Sequence, residues 1–547
     1  LVARGWAGKN ITMWARNLLF FGICAIGVAA LAAGLSPAQK PMRLVVRPDD
    51  LGPTVQRLNA GLQAEWSARG LAPAPRADEA SLARRLSLAL LGTIPSLEEL
   101  RALEQQPAAT RLDWWLGGIL ADARHHDYLA ERLARAYVGV EDGPFIIYRR
   151  RRFVAWLSDQ LRDNRPYDQI VRDLITDSGL WTDRPATNFV TVTVNPDGGQ
   201  GPDESKLAAR VSRAFLGVRM DCAQCHDHPF ESWKQGDFHG LAAYFGQTQQ
   251  TFTGIRDRDG VYQFENPESG ELETVQPGVP FQPELLSASG TLRERLAGWV
   301  THPDNLVFSR AIANRIWALV MGRPLVEPID DIRPDDEVPP VLDLLARDFA
   351  AHGYDLRRLI QLIVASQAFQ LDSRADQTDP AAEITPAHEE AWAAFPITRL
   401  RPEQVVGAVL QSASLETIDH NSHIFVRIGR SIAESEFVQR YGDEGEEEFR
   451  PQGGTIPERL LMMNGDLVGN KSSDNMFANA VGRIAALASS DAKAVETTYL
   501  VVLSRRPTPD EARYFTSQLA GDKSQRGQRL EDLYWALLNS TEFSWNH

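Results

Sequence analysis

The sequence predicts a mainly α, multi-helical body that carries a small β-rich insertion and follows one apolar N-terminal segment, a transmembrane helix or signal anchor. Three observations lead there. Apolar residues recur at helical spacing from residue 54 onward and again from residue 292 to the end. Between these stretches, residues 251–282 are rich in Thr, Gly and Pro with alternating aromatics, as at Tyr262 and Phe264. Ahead of both, residues 18–35 carry no charge and follow Arg4, Lys9 and Arg16.

The predicted organisation is an anchor and tether over residues 1–53 and a helical domain over 54–250, then a β-rich insertion or linker over 251–291 and a helical C-terminal domain over 292–547. The run 18–35 is at the short limit for a spanning helix, and its small residues 29–34 would also suit cleavage. Kept, it anchors the chain in the inner membrane with the bulk in the periplasm; cleaved, it leaves a secreted protein. The membrane, through residues 18–35, is therefore one expected partner, and protein partners in a membrane or periplasmic complex are another. Cys24 reads as a small lipid-facing residue.

Val55, Leu58, Leu62 and Trp66 set a first helix over residues 54–69. Asp78 caps a second over 79–90, and Ser96 with the acidic Glu98 and Glu99 opens a third. Residues 112–138 read as one long amphipathic stretch with His125 and His126 on an exposed polar face beside Asp127. Helices follow over 153–161 and 167–174, and the Phe, Val and Thr of 189–194 read as a strand. A helix over 206–220 leads straight into a cysteine pair, and a short one follows over 237–245. In the C-terminal half, helices are expected over 305–320 with a stop at Gly322 and Pro324, and over 341–351 and 356–370 as a hairpin. Further helices fall over 402–412, 475–487, 494–503, 509–519 and 530–538, while 376–388 reads as a linker and 443–448 as a solvated acidic loop.

A 43% hydrophobic and 24% charged composition suits a globular chain with a sizeable core. The net charge of -15 argues against nucleic-acid binding. The one basic run, residues 149–152, reads as a solvated helix face.

Of three cysteines, two are Cys222 and Cys225, and His226 follows at once. C-x-x-C-H is the attachment signature of haem c. Both thiols become thioethers to the porphyrin, and His226 becomes the proximal axial ligand. Three other readings stay open: a zinc site at Cys222, Cys225 and His226 with His228 as a further ligand, a redox dithiol, and a structural disulfide. The zinc reading lacks a second C-x-x-C or H-x-x-x-H, and the dithiol reading lacks a βαβ pattern around the pair. For the distal side of a haem the candidates are Met220, His228, His239, Met321, Met462 and Met463. His228 lies too near His226 to reach the opposite face and is expected to orient His226 or Asp227, or to meet a propionate. His239 follows a turn through Pro229 and Gly236 and can return to the iron, which makes it the candidate distal ligand.

Asp330, Asp331, Asp335 and Asp336 cluster around Pro334; calcium binding is one reading, and capping with pairing to Arg323 and Arg333 is the one adopted. No nucleophile elbow, H-E-x-x-H or phosphate loop occurs, so no catalytic set is singled out.

The run 222–230, with Trp233, Asp237 and residues 241–245, resembles the planctomycete-cytochrome-type (PSCyt) domain family of unknown function. Residues 308–317, 322–331, 354–359, 461–465 and 538–543 resemble its C-terminal PSD-type partner domain, to which it is fused. Residues 86–95 are more apolar than the family's segment there, and His239 stands where the family more often has an aromatic. The resemblance implies a c-type cytochrome. The expected function is an exported, membrane-tethered haem protein in electron transfer, or a haem-bearing subunit of a membrane complex. The alternative is a periplasmic metal-binding enzyme or a scaffold with a structural Cys/His site.

Overall fold

The computed structural model describes residues 43–140, 148–194, 201–266, 270–375, 383–419, 422, 449, 459–460, 462–463, 479–521 and 525–547. The anchor run 18–35, Cys24 and the acidic loop 443–448 lie outside them. Among the described residues no helix is long and apolar enough to cross a membrane.

The body is mainly helical. Helix α1 spans Leu51–Arg69 and α2 spans Glu79–Leu91, where the Asp78 carboxylate accepts the Ala80 and Ser81 N–H groups. Helix α3 (Leu97–Glu104) opens with a reciprocal box: Ser96 accepts the Glu99 N–H, and Glu99 accepts that of Ser96. The stretch predicted as one helix over 112–138 is two, α4 (Arg111–Ala121) and α5 (Ala123–Val138). Asp122 leaves the helical conformation at ψ 136 and caps the Arg124 N–H at 2.8 Å, which breaks the run. Helices α6 (Arg150–Arg162) and α7 (Tyr167–Thr176) follow as expected.

The strand expected over 189–194 is instead a helical turn, Asn188–Thr191. Its β-branched side chains are buried together rather than alternately, and Asn188 ties the turn down by donating to the Pro185 carbonyl and accepting the Arg149 N–H. The helix expected over 206–220 also ends early. Helix α8 (Glu204–Val211) passes into a π turn over Ser212–Leu216 and stops at Gly217, φ 61. A short connection then precedes the cysteine motif, which is followed by α9 (Gln235–Ala242).

The β-rich insertion is two antiparallel hairpins. Strands β1 (Thr248–Thr251) and β2 (Gly254–Asp257) pair with Thr248 opposite Asp257. Strands β3 (Tyr262–Glu265) and β4 (Leu272–Val275) pair with Tyr262 opposite Val275.

Helices α10 (Leu292–Val300), α11 (Leu306–Met321), α12 (Pro340–Ala351) and α13 (Leu356–Ala365) come next. All of α11 is buried except Leu306 and Arg310, the pattern of a helix packed on every side. It ends at Gly322, φ 89, where Thr398 leaves no room for a Cβ. Strand β5 (Thr398–Arg399) precedes α14 (Pro402–Ser412), and α15 (Ala480–Leu487), α16 (Asp491–Leu503), α17 (Pro509–Leu519) and α18 (Arg526–Leu538) complete the helices that matter here. Strand β6 (Trp545–Asn546) pairs back on β5.

Among the described residues two apolar cores result, and most of their residues part near residue 400. The first runs from Leu51 to Phe395 and takes in α10 to α13. The second gathers α14 to α18 with Leu88, Ile94, Leu97 and Leu100 from the N-terminal part. Between them Arg132 pairs with the buried Glu403, and Arg401 donates to the Tyr128 hydroxyl at 2.9 Å. His125 and His126, expected on an exposed face, lie in this interior; His125 bonds the Leu90 carbonyl at 3.1 Å, and burial depresses its pKa to about 3.

Candidate functional site

Residues Asp221–Gln224 form one 3-10 turn that begins with the Ala223 N–H donating to the Met220 carbonyl at 2.9 Å. Met220 and Ala223 point into the core, and this roots the turn. At three residues per turn, positions i and i+3 share a side, so Cys222 and Cys225 face outward together. Both are exposed, unpaired thiols.

His226 is exposed, and its Nδ1 lies 2.7 Å from the Asp227 carbonyl. A carbonyl only accepts, so Nδ1 carries the proton and the lone pair sits on Nε2, to which no described residue bonds. That is the tautomer of a metal-ligating imidazole whose other nitrogen is held by a backbone carbonyl. His228 has a different task. Its Nδ1 accepts the N–H groups of Phe230 and Glu231, and its own N–H donates to the Trp233 carbonyl at 2.8 Å, so it closes the loop. Asp227 accepts the Gln235 N–H and the Lys234 ammonium, and both hold its carboxyl below the usual range. Phe230 projects from this loop at 88% exposure.

His239 lies beneath the turn, 3% exposed. Its Nε2 is 3.0 Å from the Gln224 carbonyl, its Nδ1 is 2.9 Å from the Tyr262 hydroxyl, and its ring stacks on Phe264 at 3.8 Å. Of the methionine candidates, Met220 is buried under the turn, Met321 belongs to the first core and Met462 to the second, and Met463 is exposed.

The C-terminal half braces the same turn from another side. Arg219 donates from Nε and Nη2 to Asp330 at 2.8 and 2.7 Å, and Arg213 bridges Asp221 at 2.8 Å and Asp330 at 3.9 Å. The Ile332 N–H donates to the Gly217 carbonyl at 2.6 Å, and Arg333 pairs with Glu231. Asp336 faces Arg333 at 3.8 Å, but Arg323 turns instead to the Glu389 carbonyl and the Trp392 ring. The acidic loop is thus organised around arginines. Arg213, Arg219, Ser205, Tyr262 and Phe264 were not singled out from the sequence; each acts on the motif through a contact that no local spacing encodes.

Among the described residues no group of three or more His, Cys, Asp or Glu side chains is gathered as a metal site would gather them. An open groove of about 570 Å3 lies elsewhere, lined by Gln63, Trp66, Leu71, Arg76 and Gln370 among others. In the basic run, Arg150 is taken up by Glu131 and Arg149 lies over Trp181.

Two family profiles match the chain. PSCyt2, described as a protein of unknown function (DUF1549), covers residues 57–250, and PSD1, described as a protein of unknown function (DUF1553), covers residues 292–428. No curated protein and no solved structure matches. The cysteine turn lies in the first matched segment, and the Asp330 loop that braces it lies in the second. The chain therefore belongs to the family of proteins in which a PSCyt2 domain is fused to a C-terminal PSD1 domain.

Proposed function

We propose that the turn at residues 222–226 is a covalent haem attachment site, on a protein that exchanges single electrons or carries haem within a membrane complex. The observation that supports this best is His226: its Nδ1–H is committed to the Asp227 carbonyl, no described residue bonds its Nε2, and it directly follows a turn with two exposed thiols on one side. These residues fit the group. Cys222 and Cys225 would hold it by thioethers and His226 would be its proximal ligand, and bound haem would supply one-electron exchange. The chain's own part is to keep the thiols accessible, fix the imidazole tautomer and anchor the turn through Met220 and Ala223. The uncharged run 18–35 behind Arg4, Lys9 and Arg16 supports export and a membrane tether.

The test is the pyridine haemochrome spectrum of protein made with a working haem-attachment system. Haem should stay on the chain through acid-acetone extraction, fall with either Cys222→Ser or Cys225→Ser, and vanish with both. Stoichiometric zinc without iron in the wild type would overturn the reading.

A further inference from the structure

We infer that His239 is a positioning residue which, backed by the β3–β4 hairpin, locks the backbone between the two cysteines, and is not an axial ligand. An imidazole has two nitrogens, and here both are spent. The Gln224 carbonyl can only accept, so Nε2 donates to it at 3.0 Å. Nδ1 is then the acceptor and takes the Tyr262 O–H at 2.9 Å; the Tyr262 oxygen in turn accepts from the Ser205 hydroxyl at 3.2 Å. Ser205, Tyr262, His239 and Gln224 thus form one directed chain from α8 through β3 and α9 to the motif. Phe264 stacks on the ring at an interplanar angle of 16°, and Phe238 meets it edge-on at 88°. The segment after the hairpin closes the cage: the Gly278 N–H donates to the Gly240 carbonyl at 3.1 Å, and a Cβ on Gly240 would press the Gly278 carbonyl at 3.2 Å.

His239 does not act alone. Gln235 stands one turn earlier on the same face of α9 and donates to the Cys225 carbonyl at 3.0 Å. Two consecutive carbonyls, Gln224 and Cys225, are therefore held by side chains at i and i+4. Fixing these two peptide planes, which flank Cys225, fixes the direction in which its side chain leaves the backbone. The β3–β4 hairpin so acquires a role as the back wall of the motif.

The spectroscopic arm of the test rests on the haem reading; the hydrogen-exchange arm does not. In protein without haem, His239→Phe should raise amide hydrogen exchange in peptides covering residues 222–226 about fivefold, the opening expected from losing one hydrogen bond. His239→Gln keeps an amide N–H for the Gln224 carbonyl and should restore the wild-type rate. Tyr262→Phe, which removes one hydroxyl and keeps the ring, should fall between the two and serves if His239→Phe does not fold. In the haem-loaded protein the spin state should be the same in wild type and in His239→Gln. Two outcomes would overturn the inference: exchange over residues 222–226 unchanged in His239→Phe and Tyr262→Phe, or low-spin haem turned high-spin by His239→Gln. A wild type that takes up no haem would defeat the proposed function alone, because the exchange rates would still decide the positioning role.

Discussion

Asp330→Asn tests whether the C-terminal half sets the conformation of the motif. The carboxylate is 10% exposed and accepts two charge-assisted bonds from Arg219, with Arg213 as a second, longer partner. Such bonds contribute roughly 1.5–3 kcal/mol each. The arginines are 36% and 32% exposed, so solvent screening reduces the return, and about 1.5–2 kcal/mol remains for the site. The asparagine keeps the volume and one acceptor but loses the charge. A cost of about 1.5–2 kcal/mol is roughly a 10- to 30-fold rise in local opening. Hydrogen exchange followed by mass spectrometry should show that rise in peptides covering residues 217–231 and none in peptides from α16, which sits in the other core. The double variant with Arg219→Gln should cost less than the two singles together. Exchange over 217–231 within about twofold of wild type would refute the coupling.

Two further outcomes probe the junction between the cores. Glu403 is buried between Arg132 and Arg401; burial raises its pKa, the two arginines outweigh that, and the net shift is downward from the ordinary 4.5. A carboxyl lowered in the folded state contributes stability that is present above its unfolded pKa and lost as pH falls through the folded one. Glu403→Gln should therefore cost about 3 kcal/mol at neutral pH, with the gap to wild type in urea midpoint narrowing below about pH 4.5. Gly407→Ala should destabilise by about 3 kcal/mol or more on thermal melting, because its Cβ would run into the Gly92 carbonyl where α14 crosses the end of α2.

What the sequence showed, and what it hid, follows the range of the interactions involved. Asp78, Ser96 and Gly322 announced helix ends because a cap acts within three or four residues. The cysteine pair and His226 could be singled out because C-x-x-C-H is a pattern of fixed local spacing, and the turn that exposes both thiols is as local. His125 and His126 were misread because their burial comes from α2, α4 and α13 packing around α5, which no local pattern encodes. Residues 189–194 misled for a related reason: β-branched residues mark a half-buried pleat only when one face is wet, and here both faces are covered. His239 could be picked out because a histidine after a turn can return to a metal; its bonds to Gln224 and Tyr262 exist only once the hairpin folds over α9, and no local spacing encodes them. Asp330 was rightly assigned to arginine pairing, but its partners lie more than a hundred residues away, at Arg213 and Arg219.

The burial of α11 within the first core has a consequence in time. A ribosome releases residues in order, at roughly 5–20 per second. The PSCyt2 segment is complete at residue 250, yet the helix that fills its interior ends only at Met321, and the Asp330 loop that grips the motif comes later still. Until those residues emerge, the faces of α2 and of the π turn that pack on α11 have no partner. The nascent chain therefore passes through an interval in which Cys222 and Cys225 are already made while the body around them is open, and whatever modifies these thiols can reach them before the fold closes.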